Sequence, residues 1–194
     1  MRYMVRTVAW RPERLQNVET LRSLIPQLEV IVDEKRDGYA TLLDACHRLD
    51  NTGGVLLEDD VLLCRNFTTR IEEIIQRKQQ YVINFFEKPK VPLNTSLVGG
   101  SQFLWMQCIY LPPGFPGKMI EHFQTFLVKH PEPDAYDCLV AHALVKERMK
   151  YWRIRPCLVQ HLPFRSTLKG SRPPTRQTDF FIDDLEMNGN VVQY

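Results

Sequence analysis

Glu58, Asp59 and Asp60 stand side by side in "GGVLLEDDVLL", between two apolar runs. Adjacent carboxylates repel, and burying them without a compensating charge is costly. Carboxylates at a strand end are a hard-oxygen donor set for a divalent cation, Mg²⁺ or Mn²⁺. In extended chain the side chains alternate, so Glu58 and Asp60 are expected on one side and Asp59 on the other. A bound ion would relieve the repulsion and bring a phosphate or diphosphate with it. The plainer alternative is a solvated strand end whose acids cap the next turn.

Further residues suit the same chemistry. His161 closes the apolar run "RPCLVQH" and is either a ligand or a structural imidazole. Behind it come Arg165, Ser166, Lys169, Arg172 and Arg176. Cations and hydroxyls in a loop suit clamping a diphosphate, although a solvated basic segment has the same composition. Asp134 and Asp137 follow "PEP" at a helix start, where capping alone explains them. A carboxylate there, facing a cleft, is also a candidate general base. Thr7, Arg11 and Arg14 lie at or after the end of the first strand, and Asp33 at the end of the second. In a nucleotide-binding sheet these positions surround base and ribose; as a bland alternative they are surface charge.

The elements that must position these residues follow from periodicity. "YMVRTVAW" (3–10), "LEVIVDE" (28–34), "GGVLLEDD" (53–60) and "YVINFF" (81–86) read as strands. Between them, 11–25 and 38–49 carry apolar residues at helical spacing, with Leu15, Val18, Leu21, Leu24 and Ile25 on the first helix. Thr69 and Glu72 suggest a capping box for a third helix. Strand and helix alternate to residue 86, which predicts an α/β fold: a central, mostly parallel or mixed sheet flanked by helices. Residues 87–102 read as a long loop, 103–111 as a strand, 118–130 and the segment after "PEPD" as helices, and 151–161 as a last strand. One domain is expected over 1–170, with a nucleotide-binding half (1–86) and an acceptor half (87–170). Residues 171–194 read as a tail.

The bulk numbers narrow the class. The chain has 194 residues, 44% hydrophobic and 25% charged, enough for one domain with a full core. A net charge of +2 creates no global field that demands nucleic acid or membrane. Cys46, Cys64, Cys108, Cys138 and Cys157 are odd in number and form no CxxC pair. They read as reduced thiols, and a cytoplasmic location is expected. No stretch approaches the length of a membrane span.

"LEDDV" at a strand end resembles the DxD-type motif of glycosyltransferases with the A-type fold. "GFPGKMIEHFQTFLVKHPEPDAYDCLVAHAL" and then "RIRPCLVQHLPFRSTLKG" are similar, in order and spacing, to segments of the branching N-acetylglucosaminyltransferases of the N-glycan pathway. Those enzymes carry a like GKM segment, a like P-x-D helix start and a like strand ending Gln-His. The resemblance covers about residues 53–170. It implies a nucleoside diphosphate sugar as donor and Mn²⁺ or Mg²⁺ as cofactor. It puts Asp60 at the metal, Glu58 near the ribose with Asp59 beside it, and His161 where metal or diphosphate binding is completed. Asp134 becomes the first choice for general base and Asp137 the second, in an inverting displacement. The chain departs from the family in its small size, in "LPFRST" after the His, and in showing no anchor or stem. A microbial or viral source is therefore expected, with a glycan or a hydroxylated DNA base as acceptor. The competing classes are a nucleotide-binding module without catalysis and a metal-dependent phosphate-transfer enzyme.

Overall fold

The computed structural model describes residues 1–87, 94–129, 136–164 and 177–187, leaving aside the side chains of 136, 137, 185 and 187. Its elements, in chain order, are β1 (Tyr3–Val8), α1 (Pro12–Leu24), β2 (Leu28–Asp33), α2 (Gly38–Leu49), β3 (Gly54–Glu58), β4 (Val61–Leu63) and α3 (Phe67–Lys78). Then follow β5 (Val82–Asn84), β6 (Ser96–Gly99), β7 (Cys108–Leu111), α4 (Phe115–Lys129), α5 (Tyr136–Lys146), β8 (Lys150–Arg153), β9 (Val159–His161) and α6 (Ile182–Met187). Among the described residues, seven strands form one sheet in the order β2–β1–β3–β7–β5–β8–β6, and β4 pairs with β9 in a second, small sheet. Strands β2, β1, β3, β5 and β8 run in one direction; β7 and β6 run against them. The fold is α/β, with a mixed Rossmann-like sheet flanked by helices.

Both faces of the sheet are covered, which is why the central strands β1, β3, β7 and β5 are buried along nearly their whole length rather than alternating. Tyr3, Val5, Val55 and Leu57 pack on one side against Val18, Leu21, Ile71, Ile74 and Ile75 of α1 and α3. Met4, Ile31, Leu56 and Ile109 pack on the other against Leu42, Cys46, Met119, Leu139 and Ala143 of α2, α4 and α5. At the amino end of β3 the glycine pair is forced by space. A Cβ on Gly54 would come within 2.6 Å of the Leu49 side chain and 2.8 Å of the Arg2 carbonyl, and Gly53 has φ +64°.

Several expectations change. Leu15 and Leu24, expected on the buried face of α1, are 36% and 53% exposed. The buried stripe is Arg14, Val18, Leu21 and Ile25, so an arginine occupies a core-facing position. The capping box does not form: α3 begins at Phe67 after Asn66, which makes no side-chain cap bond, and Glu72 accepts a hydrogen bond from the Tyr3 hydroxyl at 2.8 Å instead. The loop expected over 87–102 contains strand β6, paired antiparallel with β8. The strand expected over 103–111 begins only at Cys108. The last strand is two strands, β8 and β9, separated around Pro156, which has no N–H for a ladder.

The C-terminal stretch, expected as a tail, returns to the core over its described part. Thr178, Phe181 and Ile182 are buried, and the Gln160 side-chain amide holds the Thr178 backbone, accepting from its N–H at 2.8 Å and donating to its carbonyl at 2.9 Å. Asp183 accepts from the Arg65 amide, and Arg70 pairs with Glu186 at 2.9 Å. No helix among the described residues is long and apolar enough to cross a membrane.

Candidate functional site

The carboxylate cluster sits where β1 and β3 end, at the carboxyl edge of the parallel strands. This is the edge at which open α/β sheets bind ligands. Strand β3 stops at Glu58, and Asp59–Asp60 form the turn into β4. The turn breaks the strand alternation, so the expected division of sides does not hold. Asp59 and Asp60 face the same guanidinium. Arg14 Nη1 donates to Asp59 Oδ1, and Arg14 Nη2 donates to Asp60 Oδ2 at 2.9 Å. The Thr7 hydroxyl donates to the other Asp59 oxygen at 2.7 Å. Asn17, one helical turn on from Arg14, donates to the Asp59 and Val61 carbonyls at 2.8 and 3.0 Å. Helix α1 thereby pins the turn.

Glu58 has its own partner. Arg6 lies beside it in the parallel β1–β3 register, with Nη1 3.4 Å from Glu58 Oε1. Three carboxylates thus meet two buried guanidiniums. This answers how the chain buries the cluster: paired charges replace the water that was lost.

The fourth member arrives from 101 residues downstream (60 to 161). Strand β9 pairs with β4 so that His161 lies opposite Val61, and the Leu162 amide donates to the Asp60 carbonyl at 2.7 Å. His161 Nε2 comes to 3.4 Å from Asp60 Oδ2. Among the described residues, His161 Nδ1, Asp60 Oδ1 and Glu58 Oε1 are buried and have no hydrogen-bond partner.

The electrostatics separate the acids. Burial pushes the Glu58 carboxyl up to about 7, against the pull of Arg6. Burial also raises Asp59, against the pull of Arg14. For Asp60 burial pulls upward too, but the His161 hydrogen bond and the Arg14 charge outweigh it and hold the carboxyl below its ordinary value. Burial disfavours the Arg14 cation, and Asp60 and Asp59 more than offset that, so the guanidinium stays charged.

These contacts decide which residues fit a divalent ion. Both oxygens of Asp59 are engaged, and Glu58 is held by Arg6. Asp60 Oδ1, without a hydrogen-bond partner among the described residues, and the His161 imidazole, 3.4 Å from the other Asp60 oxygen, remain as candidate ligands. Among the described residues no group of three His, Cys, Asp or Glu side chains is arranged to hold a metal. The other ligands of a six-coordinate ion would come from phosphate oxygens and water.

The remaining expected residues are scattered. Asp33 accepts from the backbone amides of Lys35 and Asp37 at 2.9 and 3.1 Å, which fixes the turn leading into α2. Arg11 precedes α1 and makes no side-chain cap. Asp134, Arg165 and Lys169, and the side chain of Asp137, lie outside the described residues. The GKM segment starts α4 at the opposite edge of the sheet. There the Gly117 amide donates to Asp50 at 2.8 Å, and a Cβ would come within 2.5 Å of that carboxylate. An open cleft of about 1000 Å³, lined in part by Arg2, Thr69, Glu72, Gln76 and Tyr110, lies at that same edge and contains none of the candidate residues.

Sequence reasoning missed Arg6 and the role of Arg14. Each had a signal: Arg6 interrupts an apolar strand, and Arg14 falls on the Val18–Leu21–Ile25 stripe. No family model matches this chain. No curated protein matches it either.

Proposed function

We propose that the protein is a glycosyltransferase that moves a sugar from a nucleoside diphosphate sugar to an acceptor hydroxyl. The observation that carries the reading is the meeting of Asp60 and His161 at 3.4 Å, at the carboxyl edge of the parallel strands. The EDD turn and the Gln-His strand end are the two segments that the resemblance to branching N-acetylglucosaminyltransferases assigns to one metal–diphosphate site. They are remote in sequence and adjacent in space.

Asp60 and His161 are the residues that would hold Mn²⁺ or Mg²⁺. The ion, when bound, would neutralise the departing diphosphate. Arg14 holds Asp60 ionised and in place, and Asn17 fixes the turn that carries it. Thr7 and Asp59 position Arg14 in turn. Glu58 takes the ribose side of the site, with Asp33 and Arg11 at the neighbouring strand ends. Arg165 and Lys169 clamp the diphosphate. Asp134, or else Asp137, takes the proton from the acceptor hydroxyl as that oxygen attacks the anomeric carbon and the diphosphate leaves from the opposite face. The acceptor is a glycan hydroxyl or a hydroxylated DNA base. None of the five cysteines is in a disulfide, which suits a reducing, cytoplasmic setting.

The test is a thermal-shift screen of nucleoside diphosphate sugars with and without Mn²⁺, because a ligand that binds only the folded state raises its stability. A stabilising donor is then assayed for nucleotide release with glycan and hydroxymethylated-DNA acceptors. Asp60→Ala, in which Arg14 keeps Asp59, is expected to stay folded and lose both donor stabilisation and transfer. Full transfer by that variant, or no response to any nucleotide sugar, overturns the proposal.

A further inference from the structure

We propose that Arg14 occupies the cation seat of the Glu58–Asp60 cluster, so that the free protein takes up no divalent ion alone and admits one only together with a diphosphate. This rests on the diphosphate-site reading above and adds an order of assembly to it.

Valence and charge both lead there. A guanidinium is a planar fork that engages two carboxylates at once and does not lose its proton. Arg14 does this across Asp59 and Asp60, with all three side chains buried. The oxygens that two adjacent aspartates would offer a metal, Asp59 Oδ1 and Asp60 Oδ2, are the ones Arg14 holds. Thr7 takes Asp59 Oδ2, and Arg6 stands at Glu58. Among the described residues, what is left is Asp60 Oδ1, which has no hydrogen-bond partner, and the His161 ring, whose Nε2 stands 3.4 Å from the other Asp60 oxygen; Glu58 Oε1 also lacks a hydrogen bond but lies 3.4 Å from the Arg6 guanidinium.

One open carboxylate oxygen and an imidazole, beside the fixed positive charges of Arg14 and Arg6, make a poor seat for a dication. Mg²⁺ and Mn²⁺ want about six ligands and give up water reluctantly. A diphosphate changes the balance. It brings further oxygens to the ion, and its negative charge is attracted by the same Arg14 and Arg6 that repel the bare cation. The arginines thus let the empty site remain folded, and they make metal entry conditional on the leaving group that the metal serves.

The experiment measures Mn²⁺ retained with the protein on ultrafiltration, with Mn²⁺ alone and with Mn²⁺ plus inorganic pyrophosphate. The wild-type protein is expected to bind the ion at least tenfold more tightly when pyrophosphate is present. Arg14→Met frees both aspartate oxygens and is expected to gain tenfold or more in affinity for Mn²⁺ alone, with folding checked by circular dichroism. Arg14→Lys keeps a charge in place but cannot span both carboxylates, and is expected to gain less. The wild-type comparison needs no variant and decides the order of assembly even if both variants unfold. Equal wild-type retention with and without pyrophosphate overturns the proposal. So does no retention under either condition, or a folded Arg14 variant with no gain. Wild-type protein that takes Mn²⁺ alone and still transfers sugar refutes this inference and leaves the transferase reading. The expected Mn²⁺ pattern with no response to any nucleotide sugar does the reverse.

Discussion

Replacing Arg14 tests the charge arithmetic of the site directly. Arg14→Met leaves three carboxylates, Glu58, Asp59 and Asp60, facing one guanidinium, Arg6. The pairs removed are buried: the side chains of Arg14, Asp59 and Asp60 are 6%, 2% and 11% exposed. Breaking one partner out of a buried ion pair costs about 3–5 kcal/mol, because the other charge is left without compensation. A loss of about 4 kcal/mol, at a urea slope of about 2 kcal/mol per M, lowers the unfolding midpoint by about 2 M. Adding Asp59→Asn removes one of the stranded charges. The carboxamide introduced there would still accept from Thr7 through its carbonyl oxygen. The double variant is therefore expected to recover at least about 1.5 kcal/mol relative to Arg14→Met alone, a coupling in the range measured for contacting residues. Urea unfolding of wild type, both single variants and the double variant at pH 7, in chelator, supplies the whole cycle. A midpoint shift below about 0.5 M for Arg14→Met, or single losses that simply add, would mean that Arg14 is not the counter-ion of the cluster.

Two other consequences are measurable. Glu58 holds its proton to about 7 in the folded protein, against 4.5 as its ordinary value. The folded state therefore binds more protons than the unfolded chain between those limits, and stability falls as pH rises through them. The full contribution is about 3 kcal/mol at about 1.4 kcal/mol per pH unit. Glu58→Gln is expected to flatten that part of the stability–pH curve measured in chelator, and parallel curves for the two proteins would refute it. Ile182, fully buried in the core beside Phe181, is expected to cost about 2–5 kcal/mol when changed to Ala. A loss below about 0.5 kcal/mol, the scale of an exposed position, would return residues 177–187 to the status of a tail.

How much of this was legible depends on whether the determining contacts are local. The strands and helices of the first half follow from local periodicity, and α2 spans Gly38–Leu49 as read. Their α/β alternation predicts the sheet. Strand β6 was not legible because "SLVGG" has the composition of a loop and becomes a strand only by pairing with β8, more than fifty residues away. The division of β8 from β9 was signalled by Pro156 and passed over. The turn at Asp59–Asp60 was hidden because "GGVLLEDDVLL" is apolar on both sides of the acids, so extended chain and a tight reversal share one pattern. That single error set Asp59 apart from Asp60, whereas both face Arg14. Arg14 was readable in principle. Taking Leu15 instead of Arg14 into the apolar stripe favoured residue type over the spacing that Val18, Leu21 and Ile25 set.

The structural contacts of the cluster must be told apart from its proposed metal role at each residue. Asp59 is committed entirely to structure: Thr7 and Arg14 use its oxygens, and Asn17 holds its carbonyl. Loss of activity on changing it would report a displaced Arg14, and would not show that it binds an ion. Asp60 divides its carboxylate. One oxygen joins Arg14 and His161, linking α1 to β9 through the turn, while the other has no hydrogen-bond partner among the described residues. A buried oxygen without a partner is costly unless something in the working cycle supplies one. It lies on the one acid of the three whose pKa its neighbours hold down, so it stays ionised where Glu58 is protonated more readily. The chain has thus spread three adjacent acids over three environments. The one left both charged and coordinatively open is the one that the small β4–β9 sheet brings to the histidine.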